Sequence, residues 1–297
     1  MTTAGGAPGN LDPTQTIVTF PLHLLNKKFT QEVRLNSKIG SLDWMFGGYY
    51  DDEKGDNLQT LPVKTLAGAS VPFVDPLFDA SLPTTYKEYA AFGNIDYHFS
   101  ESFDIAAGLR YADNKQTYRT IVTPVFVDLV PPGDTSGHSS EGVTTYNFSP
   151  RLQIDPNNMV YARVATGYQA GGPNLAIFGA ATQVDASRIT TYETGWKVSF
   201  PAAHAQLNIA IYDNEWSKIQ VGATTSGGVG ITLNAGKARS KGVTVDGSIR
   251  PVAGLTLSAD FAYTDSQLID DTAHAPGGPG GFNGERLPHQ PKTAGSI

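Results

Sequence analysis

The chain contains no cysteine among its 297 residues. Disulfide frameworks, thiolate metal sites and cysteine nucleophiles are therefore excluded. Basic residues are also scarce: 21 lysines and arginines stand against 28 acidic residues, for a formal net charge of −7. Because nucleic-acid phosphates require a basic face, and no basic cluster is present, we expect no nucleic-acid partner.

Long hydrophobic runs are missing as well. No stretch approaches the roughly 18 apolar residues that a membrane-spanning helix needs, and the mean hydropathy is −0.22. A transmembrane β-barrel gives a similar average, because only alternate residues of each strand meet lipid. The opening segment MTTAGGAPGNLDPTQT has neither the basic nor the apolar part of a secretory signal.

What the sequence does contain is glycine, proline and a repeated alternation of apolar and polar residues. The 32 glycines and 19 prolines are spread along the chain, which favours strands and turns. The clearest alternation is LTLSADFAY, where one face carries Leu255, Leu257, Ala259, Phe261 and Tyr263. Similar patterns in FTQEVRL, FDIAAGLRY and other segments predict about eleven strands, many near the ten residues that cross a bilayer when tilted.

The connections between these strands alternate in length. Short turns are predicted at Ile39 to Ser41, Ser100 to Ser102, Asp155 to Asn158, Pro201 to His204, and Val252 to Gly254. Long polar segments are predicted at residues 52 to 84, 120 to 142, 169 to 187, 222 to 230, and 267 to 285. Tight turns on one rim and long loops on the other are typical of bacterial outer-membrane barrels, whereas a sandwich or a propeller gives no reason for this alternation.

Several of these segments together resemble a known family. They are FTQEVRLNS, VYARVATGYQAGGPN (Val160 to Asn174), TYETGWKVSF (Thr191 to Phe200), NIAIYDNEWSKIQV (Asn208 to Val221), NAGKARSKGVTVDGSIRPVAGLTLSADFAYTDSQL (Asn234 to Leu268) and GERLPHQPK. In this order they resemble the barrel portion of TonB-dependent outer-membrane receptors. The resemblance implies a 22-stranded transmembrane barrel around an N-terminal plug, with uptake of siderophore-iron, cobalamin or an oligosaccharide driven by the TonB–ExbB–ExbD complex.

The resemblance also sets expectations about domains and location. We expect an all-β chain with an irregular segment or partial strand at residues 1–28 and a partial receptor barrel at residues 29–297. We expect the plug and the TonB box to be absent, the chain to be a fragment of a longer receptor, and the location to be the outer membrane of a Gram-negative bacterium. Two other readings stay open: a passive porin or adhesin barrel, and a soluble carbohydrate-binding β protein.

No catalytic, cofactor or metal site is predicted, and the chain is not expected to be an enzyme. Neither a G-x-S-x-G elbow nor a zinc-protease helix motif occurs. The histidines are scattered singly, at His23, His98, His138, His204, His274 and His289. The densest acidic run is formed by Asp51, Asp52, Glu53 and Asp56; it lacks the spacing of an EF-hand and is interpreted as the start of an exposed loop.

Two further motifs allow a functional or a structural interpretation. Gly167, Gly171 and Gly172 are interpreted as the opening of a loop rather than a phosphate cradle, because no helix begins after them. Lys237, Arg239 and Lys241 form either a basic patch or a solvated face at the lumen or rim of the barrel. Individual substrate-binding residues are not predicted; polar and aromatic residues of segments 52 to 84 and 120 to 142 are the candidate ligand contacts.

Overall fold

A computed structural model describes residues 15–124, 133–173, 183–224, 230–270, 282–288 and 290–297. The strands are β1 (Thr16–Val18), β2 (Leu22–Ile39), β3 (Leu42–Thr60), β4 (Val63–Thr65), β5 (Phe78–Ser81), β6 (Thr84–His98), β7 (Phe103–Pro124), β8 (Gly133–Asp155), β9 (Asn158–Gln169), β10 (Gly172–Pro173), β11 (Gln183–Val184), β12 (Ser187–Phe200), β13 (Ala205–Thr224), β14 (Gly230–Val252), β15 (Leu255–Leu268) and β16 (Thr293–Ser296). One 3-10 turn covers Pro201–Ala203. Within the described ranges, no helix is long and apolar enough to cross a membrane.

The chain divides into two compact units. Unit 1 comprises residues 1–30, 51–88 and 115–140, and unit 2 comprises residues 31–50, 89–114 and 141–297. Five strands cross the boundary between the two units in sequence, namely β2, β3, β6, β7 and β8.

Unit 2 is an antiparallel meander. Its strands are ordered β16, β15, β14, β13, β12, β9, β8, β7, β6, β3 and β2, so each of these strands pairs with those before and after it in the series. Together with β5 they form a twelve-stranded sheet, close to the predicted number of about eleven. The predicted all-β antiparallel fold is confirmed. Long registers such as the 13 residue pairs of β12 with β13 provide backbone partners along the full strand length.

The five predicted short turns are all present in unit 2. Gly40 and Gly254 adopt φ values of 59° and 84° in two of them, a left-handed conformation that glycine reaches at little cost. In a third, the 3-10 turn ends at His204 with φ 46°. These turns all lie at one end of the strands, which we call the short-turn end; the opposite end is the long-loop end.

The predicted long loops at 52 to 84 and 120 to 142 are largely wrong as loops. Strand β3 continues to Thr60, β7 continues to Pro124 and β8 already begins at Gly133; residues 125–132 lie outside the described ranges. Strand β2 likewise begins at Leu22, before the predicted boundary at residue 29. The extensions of β3 and β8 are almost entirely polar, so apolar alternation ceases there although the strands continue. The extensions of β2 and β7 do carry apolar residues, such as Leu24 and Val122.

Within unit 1, residues 61–82 form a folded excursion rather than an open loop. Strand β4 pairs with β1, and β5 pairs with the outer parts of β3 and β7. Within this excursion, the side chains of Val63, Val74 and Ala80 are buried. Asp75 accepts hydrogen bonds from the backbone N–H of Val63 (2.9 Å) and from the Lys64 ammonium (2.5 Å), so one carboxylate connects strand β4 to the segment that covers it.

Because of the contact between Asp75 and Lys64, we expect the stability of residues 61–77 to depend on pH. The Lys64 ammonium, with help from Ser70 and the Val63 amide, lowers the pKa of Asp75 below its ordinary value of 3.8. The stabilisation is therefore complete above that ordinary pKa, and it is lost as the pH falls through the lower pKa of the folded form. Asp75→Asn should make amide exchange at residues 61–77 several-fold faster near neutral pH, as measured by hydrogen exchange and mass spectrometry, and should abolish the acid dependence.

The matched control is Asp79→Asn, which removes only the hydrogen bond from the Thr60 hydroxyl and leaves the Lys64 pair intact. This variant should retain the acid dependence of the wild type. Equal exchange rates for wild type and Asp75→Asn at neutral pH would contradict the proposed role of the Asp75 carboxylate.

Candidate functional site

The sheet of unit 2 has two chemically different faces. On one, the pairing register aligns Trp196, Ile209, Val245 and Phe261 in a single row across β12 to β15. We call this the apolar face. On the other, a row three residues along the strands consists of Glu193, Tyr212, Gly242 and Thr264, and we call it the polar face. Because neighbouring residues of a strand point to opposite sides, the division holds along each regularly paired segment.

The polar face carries a cluster of arginines stacked on aromatic rings. The guanidinium carbon of Arg34 lies 5.9 Å from the centre of the Phe92 ring, and that of Arg110 lies 5.7 Å from the same centre. Arg110 also lies 4.9 Å from the ring centre of Tyr49. Such contacts hold a cation by attraction to the π face. Four strands, β2, β3, β6 and β7, thus each contribute one side chain.

Glycine makes this stacking possible. A Cβ atom at Gly47 would overlap the end of the Phe92 ring and would lie 2.9 Å from the carbonyl oxygen of Val33. The ring can therefore lie across β3 only because residue 47 has no side chain. At Gly108, a Cβ would overlap the Asn94 and Asn147 amides in the same way, so a second glycine leaves room for polar side chains to meet across β7.

Arg163 from β9 completes the site. Together with Arg34 and Arg110 it lines a groove of about 390 Å³ that also contains Glu32 and Phe92. Glu32 accepts a hydrogen bond from Arg34, whereas Arg163 makes no ion pair with any described residue. The groove therefore carries more positive than negative charge. Guanidinium groups bind carboxylates and phosphates in a bidentate fashion, so the site is suited to an organic anion.

Towards the short-turn end, the polar face carries ion pairs that are already complete. Arg151 donates to both Asp96 and Asp104. Nearby, the imidazole of His98 lies 2.8 Å from the Asp43 carboxylate. Ligand atoms of Asp96, His98 and Asp104 lie within 4.8 Å of one another, so the fold brings together residues that sequence spacing keeps apart. Arg151 bridges both carboxylates, so Asp96 and Asp104 already belong to an ion-pair network.

The groove was not among the sequence-predicted candidates. Segment 52 to 84 and segment 120 to 142 as far as Ser140 lie in unit 1, and their role in ligand contact stays a prediction. Gly167 stays within β9, paired with Ile189 of β12, and therefore does not open a loop. Gly172 begins the short strand β10, and because residues 174–182 lie outside the described ranges, the interpretation of Gly171 and Gly172 stays a prediction. The signal that pointed to the groove was weak: an arginine at a polar position in each of FTQEVRL, FDIAAGLRY and VYARV. Sequence alternation places each arginine on a face but does not show which strands bring them together.

The basic residues 237 to 241 lie elsewhere. Arg239 and Lys241 share the apolar face with Val243, at its long-loop end. Arg239 donates to Asp213, and the Lys237 ammonium lies 3.8 Å from Asp270. Of the two predicted positions for these side chains, the rim fits and the lumen does not. Strand β14 pairs with β15 without a register shift from residue 238 to residue 249, so Arg239 and Lys241 point to the same face as Val243.

Comparison with known proteins agrees with this architecture. The family model for the β-barrel of TonB-dependent receptor-like proteins matches residues 2–297. The chain belongs to the TonB-dependent receptor family. Members of this family are transport receptors, so the membership accords with the expectation that the chain is not an enzyme, and it supports the barrel reading of the meander.

Individual TonB-dependent receptors are similar over most of the chain. The pesticin receptor of Yersinia enterocolitica is 25% identical over 260 residues, which cover 85% of this chain and 34% of that receptor. The probable TonB-dependent siderophore receptor PiuA of Acinetobacter baumannii is 26% identical over 269 residues, covering 84% and 34%. The chain thus spans about a third of the length of these curated relatives.

Among solved structures, the ferric yersiniabactin uptake receptor FyuA of Yersinia pestis superimposes with a TM-score of 0.76 at 20% identity, covering 95% of this chain and 40% of FyuA. At this identity the likeness shows a shared fold. In the TonB-dependent receptor fold, the apolar face meets lipid and the polar face meets the lumen, which places the arginine groove on the luminal side.

The dependence of the groove on Gly47 can be tested by substitution. Gly47→Ala should displace the Phe92 ring and destabilise the folded receptor by about 1–3 kcal/mol, the usual cost of overpacking. The measurement is the temperature at which the heat-modifiable band of the purified receptor converts on gel electrophoresis. Gly48→Ala is the matched control, because the nearest atom to its added Cβ is the Ala90 carbonyl oxygen at 4.0 Å. Equal losses for both variants would show that Phe92 does not depend on Gly47.

Proposed function

We propose that this chain forms part of the wall of an outer-membrane receptor that imports a small, anionic iron chelate. The observation that carries the proposal is the groove of Arg34, Arg110 and Arg163 on the luminal face. Family membership supports the transport role, and the names of the relatives support siderophores as the ligand class. An iron chelate built from carboxylate or catecholate groups carries the negative charge that three guanidiniums attract.

The residues that line this groove favour some of the alternative ligands over others. Neutral oligosaccharides are held mainly by hydroxyl hydrogen bonds and aromatic stacking, and they gain little from an excess of arginine. Guanidinium groups already contact the Phe92 and Tyr49 rings, so a sugar ring would have to compete with them for aromatic stacking. A ferric chelate therefore fits better than a neutral oligosaccharide.

The proposed mechanism assigns energy coupling to partners. In this proposal the TonB–ExbB–ExbD complex acts through a plug domain, and the strands described here remain a rigid wall. The extended strand ends of unit 1 and the excursion at 61–82 would contribute ligand contacts outside the membrane. The luminal arginines would then provide successive positions for the anion as it passes inward, without chemical change to the chelate.

The experiment is uptake of radiolabelled iron chelates by a strain that lacks the complete gene and is complemented with variants. We expect the deletion to abolish energy-dependent uptake of one anionic chelate, and a protonophore to have the same effect. The double variant Arg110→Gln and Arg163→Gln should weaken uptake affinity roughly tenfold or more, since a hydrogen bond to a charged group contributes about 1.5–3 kcal/mol.

Arg188→Gln serves as the control, since Arg188 lies on the opposite face of the sheet and pairs with Glu141 at 3.4 Å. It should leave uptake unchanged. Uptake that persists in the presence of the protonophore would instead indicate a passive porin. Normal chelate uptake by the double variant, with the receptor present in the outer membrane, would remove the groove from the pathway.

A further inference from the structure

The apolar face ends sharply towards the long-loop end of unit 2. One row across β9 and β12 to β15 consists of Ala162, Thr194, Ile211, Val243 and Tyr263. The next row outward consists of Val164, Tyr192, Asp213, Lys241 and Asp265, and we call it the boundary row. On β13, β14 and β15 the side chains change within one row from Ile211, Val243 and Tyr263 to the charged residues of the boundary row. This change locates the upper limit of the hydrocarbon, where charges reach lipid headgroups.

A groove crosses this boundary. It has a volume of about 800 Å³, and its lining includes Tyr192, Ile211, Val243 and Tyr263 as well as Asp213, Lys241 and Asp265 of the boundary row. The side chains of Tyr192 and Tyr263 project from β12 and β15 and are 46% and 43% exposed. Between them, β13 and β14 present only the shorter Ile211 and Val243. The result is a slot between two aromatic rings that opens into the acyl region.

At the charged end of the slot, and among the described residues, the Arg239 guanidinium is ion-paired and the Lys241 ammonium is not. Arg239, one row further out, donates from Nε to the Asp213 carboxylate at 2.8 Å. Lys241 makes no ion pair with any residue in the described ranges. Its ammonium is therefore available beside the unused edge of the Arg239 guanidinium. Glu215 and Asp265 are the register partners of Arg239 and Lys241, and both stand at headgroup level.

We propose that this slot binds a phosphorylated lipid of the surrounding outer leaflet. One acyl chain lies between Tyr192 and Tyr263 over Ile211 and Val243, and the phosphate is held by Lys241 and Arg239. The site lies on the outside of the sheet, so its ligand is distinct from the imported chelate. The proposal depends on the transmembrane placement of unit 2 and not on the nature of the substrate.

The combination of groove and charge favours a lipid over other occupants. An exposed lysine at the edge of hydrocarbon attracts anionic headgroups. Asp213, the register partner of Lys241 on β13, is neutralised by Arg239 and does not oppose this binding as a free charge.

The test is native mass spectrometry of the complete receptor purified in detergent and mixed with lipid A or with dephosphorylated lipid A. The wild type should retain lipid A in preference to the dephosphorylated form. Lys241→Gln should reduce the retained lipid A roughly fivefold and largely remove the preference. Asp265→Asn should preserve the preference; its loss in that variant would show that the headgroup is held through the carboxylate, which contradicts the proposal.

Two further variants separate the slot from general effects on folding. Val243→Trp fills the floor of the slot and should reduce retention of both lipids. Lys197→Gln removes a cation from the polar face of β12 and should change neither. All variants are compared as heat-modifiable, folded receptor. Unaltered lipid A retention by both Lys241→Gln and Val243→Trp would overturn the proposal, even if chelate uptake proceeds as proposed above.

Discussion

Backbone pairing between antiparallel strands is the constraint on which this structure depends. In hydrocarbon, each N–H and C=O group needs a partner within the protein, since water is not available to replace it. The long registers of β12, β13 and β14 meet this need over whole strand lengths. Because paired strands alternate their side chains, the same pairing that satisfies the backbone also separates a lipid-facing surface from a luminal one.

Glycine residues determine where aromatic rings can lie on the luminal surface. Where a residue such as Gly47 or Gly242 has no side chain, an aromatic ring from a neighbouring strand lies flat across it. Phe92 covers Gly47, and the Tyr212 hydroxyl passes Gly242 to lie 2.8 Å from the Thr264 hydroxyl on the following strand. Rings held in this way are fixed by backbone on one side, which leaves the other side of Phe92 to guanidinium groups.

The position of a cation across the sheet decides what it can bind. Arg34, Arg110 and Arg163 project to the polar face, where they outnumber the Glu32 carboxylate in one groove. Arg239 and Lys241 project to the opposite side, at the level where hydrocarbon gives way to headgroups. The residue types are nearly the same, but one set faces the lumen, where we propose that an anionic chelate passes, and the other faces the membrane that surrounds the barrel.

The sequence by itself determined the strand class, the number of strands and the positions of the short turns. Period-two alternation and turn residues such as Gly40 and Gly254 are local properties, and they do not need the neighbouring strands to be known. Family membership also followed from ordered segments that the chain carries in its primary structure. The strand extensions in unit 1 escaped notice, because β3 beyond Asp51 and β8 before Glu141 are polar on both faces.

Only the tertiary structure decided which residues meet. Arg34, Arg110 and Arg163 are separated by 76 and 53 positions along the chain, and nothing in their spacing indicates a common groove. The same holds for the slot between Tyr192 and Tyr263. The register between strands brings these side chains together, and register is a property of the paired sheet: a shift by one residue would exchange the two faces and remove both sites.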